Sequence, residues 1–203
     1  MSTRPRPSGP APWSAGTPVH EDLGIVKSRV YDPCGFACSQ PVPEAESADY
    51  AAHAFTVDGL AVRFRAARST PRKVGRFVTV WQRSREGPIR PFADTDPVDL
   101  VIVATRGEEH VGHFVFPVDA LCREGVVSVG GVGGKRGFRV YPPWVTTTNR
   151  QAERVQAWQV AYYLPTPAED PVDEARARSL YRAQASPPGI TGPTAPPPRR
   201  CAA

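Results

Sequence analysis

Between residues 60 and 90 the chain carries nine cationic side chains and one acid, and between residues 125 and 164 five and one, so two stretches hold net charges of +8 and +4. Guanidinium and ammonium groups at this density bind anions, and a polymer of phosphates is the first partner they imply. In the first stretch Arg63, Arg65, Arg68, Arg72, Lys73, Arg76 and Arg83 are interleaved with Trp81; in the second, Lys135, Arg136 and Arg139 precede Trp144. These ten cations are candidate phosphate contacts. The two tryptophans are candidates for stacking on bases or packing on the sugar edge. Geometry must decide whether they form one surface, because residues 91–124 hold seven acids against two cations, net −5, and their carboxylates are available to neutralise the arginines instead.

Other chemistries find less support. No G-x-S-x-G nucleophile turn exists, and His20, His53, His110 and His113 have no evident serine partner. The run GGVGGKRG (130–137) lacks the lysine-serine/threonine ending of a phosphate loop and no helix follows it, so it reads as a loop presenting Lys135 and Arg136. A metal-dependent nuclease needs clustered carboxylates and a lysine near the attacking water. Asp99 fits superficially, but the next strand, HVGHFVFP, has no acid-x-lysine, and the only lysines are Lys27, Lys73 and Lys135. Cys34 and Cys38 share no tight turn with His110 and His113, the arrangement zinc would need. No catalytic residue, metal ligand or cofactor is therefore assigned. Four cysteines are too few for a disulfide scaffold and read as reduced thiols, with Cys122 beneath a short helix.

The elements that must position the cations follow from composition. The 203 residues suit one domain. Of 24 prolines, eight fall in residues 1–43 and nine in 165–203, which leaves seven for the 121 residues between. Residues 1–20 are expected to be a disordered tail, 21–43 a linker with a short helix at 22–31 stopped by Asp32-Pro33, 44–164 the folded domain, and 165–203 a proline-rich disordered tail. Residues 172–185 have too few apolar side chains to suggest a stable packing face. No run of 18 apolar residues and no apolar leader is present, so a soluble cytoplasmic protein without a membrane partner is expected.

Within the domain, 44–55 reads as a helix with acids in its first turn, followed by a hairpin across Asp58-Gly59. Its second strand is expected to expose Arg63 and Arg65 opposite Leu60, Val62 and Phe64. A basic loop (69–75) leads to a strand (76–84) with Val78 and Val80 on the core side and Phe77, Trp81 and Arg83 on the other. Residues 98–105 read as a central strand buried on both faces. Strand 111–116, a short helix from Pro117, and strands at 126–129 and 138–141 come next. A final helix is capped by Thr148 with Gln151, and Gln151, Val155, Trp158 and Tyr162 form one stripe down it. The class is α+β: a mostly antiparallel, strongly curved sheet or open pseudobarrel flanked by helices, between disordered N- and C-terminal tails.

The runs VRFRAARSTPRKVGRFVTVWQR (62–83), DLVIV (99–103), GHFVFP (112–117), GKRGFRVYPPW (134–144) and QAWQ (156–159) together resemble the MepB family, small bacterial proteins named from an operon with a multidrug exporter. The resemblance spans about residues 44–164, in order and at the family's spacings. One departure is Arg68, where the family pattern often has lysine. The resemblance brings no catalytic set with it. GHFVFP followed by a helix, and then the GKRGFRVY segment, are also similar to short patches of the B3-type DNA-binding pseudobarrel. The leading expectation is a non-enzymatic nucleic-acid-binding domain, DNA ahead of RNA. The alternatives are a metal-dependent nuclease or other phosphodiester hydrolase and, through the exporter-linked name alone, a small-molecule (drug) binding accessory protein.

Overall fold

The computed structural model describes Trp13, residues 19–83 and residues 87–182. The chain begins with α1 (Glu21–Val26), which runs on through a π-helical turn (Lys27–Tyr31) and ends ahead of Asp32-Pro33, as expected. Then come β1 (Val42–Pro43), a 3-10 turn (Ala48–Tyr50), β2 (His53–Val57), β3 (Leu60–Ala66), β4 (Arg68–Thr70), β5 (Lys73–Thr79), β6 (Trp81–Arg83) and β7 (Ile89–Pro91). The second half supplies β8 (Leu100–Arg106), β9 (Val111–Pro117), α2 (Val118–Arg123), β10 (Gly137–Val140), α3 (Arg150–Gln159), β11 (Tyr163–Pro165) and α4 (Glu174–Arg182).

Six strands form the main sheet in the order β1-β2-β3-β8-β9-β11, and a smaller sheet has the order β10-β5-β4. Every named pair is antiparallel except β3–β8. The class is thus α+β with mostly antiparallel sheets. The main sheet is open, with β1 and β11 as its two edges, and no closed barrel forms among the described residues. The β2–β3 hairpin turns at Asp58 and Gly59, whose φ angles of 48° and 83° are the positive values a two-residue hairpin turn needs.

The main sheet is covered on both sides, and β8 shows it: Leu100, Ile102 and Ala104 enter one core, Val101 and Val103 the other. The first core is closed by Leu23, Val26, Val30 and Tyr31 from the N-terminal helix and by Ala177, Leu180 and Tyr181 from α4. Here Tyr181 donates to the Tyr31 hydroxyl at 3.3 Å and stands 3.0 Å from His113 Nε2, all three rings being buried. The second core lies between the sheet and a layer made of the small sheet, α2 and α3, with Val78, Phe138 and Val140 facing Phe114 and Phe116.

Several expectations are corrected. Residues 44–55 do not form a helix: Ser47 and Ala51 adopt left-handed φ angles of 77° and 51° on either side of the 3-10 turn, and pairing with β3 draws 53–57 into a strand. The segment 21–43 is more than a linker, since it gives Leu23, Val26, Val30, Tyr31, Cys34 and Phe36 to the first core. The expected C-terminal tail contains α4, which buries Leu180 and Tyr181, side chains each worth about 2 kcal/mol when removed from water. The basic loop at 69–75 is a hairpin of β4 and β5 with a bulge after Ser69. The strand expected at 126–129 is reduced to single bridges at Ser128 and Val129. Cys34 and Cys38 carry free thiols. The remainder of the two expected tails, 1–12, 14–18 and 183–203, lies outside the described residues. Among the described residues no helix is long and apolar enough to cross a membrane.

Candidate nucleic-acid interface

The pairing of β5 with β10 joins the two basic stretches. Arg139 stands opposite Phe77, and Phe77 opposite Arg68, so one row across the small sheet reads arginine, phenylalanine, arginine. Gly137 leaves room for the Phe77 ring, since a Cβ at that position would come within 2.6 Å of Cζ. The Arg139 guanidinium stands over the ring, 6.0 Å from its centre, and its Nη2 donates to Thr70 Oγ1 at 2.6 Å. Its Nη1 reaches the carbonyls of Lys73, Val74 and Gly75 at 3.3–3.4 Å, which fixes the β4–β5 turn that carries Arg72 and Lys73. Arg76, on the opposite face of β5, donates to Ser69 Oγ.

Ion pairing divides the ten cations. Arg63 and Arg65 both turn onto Glu44, at 3.4 and 2.6 Å, and Arg83 reaches Glu46 at 3.5 Å. Arg65 is 1% exposed, so the expectation that β3 presents it to solvent is corrected. The second layer covers that side of the sheet, and burial pulls the Arg65 guanidinium below its usual range while Glu44 pushes the other way. The other seven, Arg68, Arg72, Lys73, Arg76, Lys135, Arg136 and Arg139, make no salt bridge among the described residues. The acidic stretch does not neutralise them: Asp96 takes Arg90, and Arg106 pairs with Glu21 and Asp22.

Beside this sheet runs a groove of about 480 Å³. Lys73, Lys135 and Arg139, one from the first stretch and two from the second, line it together with Tyr141, Trp158 and Glu124. The first turn of α3 forms another wall through Asn149 and Gln151, and there the positive end of the helix dipole adds to the cations. Asn149, not Thr148, is the N-cap, its Oδ1 accepting the Ala152 amide at 2.9 Å. Two glutamines of the QAWQ run hold α3 in place. Gln159, fully buried, donates to the Arg139 carbonyl and accepts the Tyr141 amide, acting as a partner for the free edge of β10. Gln156 donates to the carbonyls of Pro142 and Val145.

The expected stacking residues are not brought to this groove. Trp81 is half-buried opposite Pro91 on β6, in a separate two-stranded ribbon. Trp144 stacks on His110 at 5.0 Å, meets Tyr163 edge-on at 5.5 Å, and lines a different, mainly apolar cavity of about 460 Å³. The aromatic groups near the cations are Tyr141, Trp158 and, edge-on to Phe77 at 6.1 Å, Tyr50. Trp158 belongs to the stripe legible on α3, whereas nothing in the sequence sets Tyr50 or Tyr141 apart.

The residues weighed for other chemistries are engaged elsewhere. Asp99 Oδ2 accepts the Ala61 amide at 2.8 Å. His113 faces Tyr181, His110 lies on Trp144, and Cys34 is buried in the first core. Among the described residues no three histidine, cysteine or acidic side chains cluster as metal ligands would.

Residues 44–165 match a family model described as MepB-like. A solved structure described as "Crystal Structure of MepB" is similar, at 32% identity and a TM-score of 0.61, over 64% of this chain and 87% of that one. No curated protein matches the chain in sequence. The family region begins at Glu44, the partner of Arg63 and Arg65, and ends with β11, so α1 and α4 lie outside it.

Proposed function

The chain belongs to the MepB-like family, and from that footing we propose that it is a cytoplasmic, non-enzymatic nucleic-acid-binding protein, DNA ahead of RNA, that holds the phosphate backbone along the small sheet and its groove. One observation carries the reading: the β5–β10 pairing brings Arg68, Arg72, Lys73 and Arg76 of the first stretch beside Arg139 of the second, Lys73, Lys135 and Arg139 line one groove, and neither these six nor Arg136 forms a salt bridge among the described residues. Unpaired cations release counterions when they meet phosphates, which makes binding strongly dependent on salt. Arg139, committed to the β4–β5 turn, acts mainly by positioning Arg72 and Lys73.

The test is the affinity of the full chain for labelled DNA between low and moderate salt. With about five phosphate contacts, log K against log salt has a slope of about −4. Reversing Arg72 and Lys73 to glutamate lowers affinity for all sequences alike and makes the slope shallower by about 2. Affinity unchanged by that double reversal, or binding indifferent to salt, would falsify the proposal. Incubating the same protein with plasmid and magnesium tests the non-enzymatic part, since cleavage that disappears in Asp99→Ala would establish a nuclease.

A further inference from the structure

The groove holds one side chain that a site for phosphate alone does not call for. Glu124 closes the C-terminal end of α2, its backbone N–H bonded to the carbonyls of Ala120 and Cys122, and its side chain is exposed in a groove shared with Lys73, Lys135 and Arg139. A carboxylate is disfavoured at a helix C-terminus, and here it also weakens the pull of the cations on phosphate. No hydrogen bond or ion pair of this carboxylate is formed within the described residues. Among the described residues it is an acceptor without a donor, in a groove that Tyr141 and Trp158 also line.

We infer that the groove receives an unpaired nucleotide and that Glu124 accepts a hydrogen bond from the amino group of its base, so that cytosine, adenine and guanine are held in preference to thymine or uracil. The inference rests on the nucleic-acid reading above and deepens it. Tyr141 and Trp158 offer ring surface on which any base can stack. Lys135 precedes β10, and Lys73 lies beyond its other end in the register that places Val140 opposite Arg76, so a strand laid along β10 meets a cation at each end of the groove. Asn149 Oδ1 is occupied by the Ala152 amide, which leaves its NH₂ as a donor, and Glu124 as the anionic acceptor. A duplex keeps its bases stacked and their pairing edges engaged, so only an unpaired base presents both its face and its amino edge here.

The experiment titrates the full chain with 5′-labelled dC12, dT12 and a duplex of equal length at one salt concentration, read by fluorescence anisotropy. Wild-type protein is expected to bind dC12 about tenfold more tightly than dT12, the discrimination one good hydrogen-bonded base contact supplies. Glu124→Gln, which offers a donor as readily as an acceptor, brings the two within about twofold, chiefly by tightening dT12 as a negative charge leaves the groove. Equal affinities in the wild type, a preference that survives Glu124→Gln, or a duplex bound more tightly than dC12 each overturns the inference. In those cases salt-dependent binding that weakens on reversing Arg72 and Lys73 leaves the phosphate reading standing. Binding to none of the three overturns both.

Discussion

One carboxylate, Glu44, decides the place of two of the ten candidate cations. It draws Arg63 and Arg65 inward from adjacent turns of β3's pleat, and no pattern within β3 reveals this, because Glu44 sits about twenty residues earlier on a different segment. Glu44→Ala leaves the buried Arg65 guanidinium without its counter-charge, and a loss of about 3 kcal/mol is expected in urea unfolding. Phosphate binding, which uses the cations that Glu44 does not touch, stays intact in the folded variant. His113 is the second informative residue. Its complete burial pulls the imidazole down from 6.5 to about 3. Between those values the unfolded chain takes up a proton that the folded chain refuses. Stability is therefore whole above about pH 6.5 and drains away as pH falls toward 3, by up to about 1.4 kcal/mol per unit. Urea midpoints at pH 7, 5.5 and 4.5 measure this slope, and His113→Gln, which retains a hydrogen-bonding group facing Tyr181, flattens it.

At the scale of elements, the parts legible in the sequence are those whose pattern and surroundings agree. The apolar run 98–105 became β8, buried on both faces, and Asp58-Gly59 became the expected turn. The stripe on α3 became a groove wall through Gln151, Val155 and Trp158. The helix expected over 44–55 failed because its acids and alanines favour a helix locally, while the alternating burial of His53, Phe55 and Val57 in β2 overrode that preference. Position on α3 was legible, but the roles of its glutamines were not: a buried amide pairing with a strand edge leaves no periodic trace. Gln159→Leu strands the Tyr141 N–H and the Arg139 carbonyl. It is expected to cost about 3 kcal/mol in thermal or chemical unfolding and to weaken oligonucleotide binding as Trp158 shifts. Wild-type affinity in that variant would show that the groove wall does not depend on Gln159.

For the whole molecule, the proline count pointed to tails at both ends, and the structure draws part of each end into the core. Prolines mark where regular structure stops, not where burial stops. Three apolar residues on α4, at Ala177, Leu180 and Tyr181, suffice because Tyr31 and Phe36 supply the rest of their surroundings. The consequence is testable: a fragment of residues 44–165, the family region, exposes Phe64, Leu100 and Ile102 along one side of the sheet. That fragment is expected to aggregate or bind a hydrophobic dye, whereas residues 19–182 elute as a folded species. Equal behaviour of the two would mean that the helices are accessory to the sheet. The Tyr31–Tyr181 contact spans 150 positions of the chain. During synthesis Tyr31 emerges from the ribosome early and must wait for nearly the last described turn before its partner arrives. Until α4 emerges the nascent sheet thus has one bare side, and the moment of greatest need for a chaperone falls just before α4 is released.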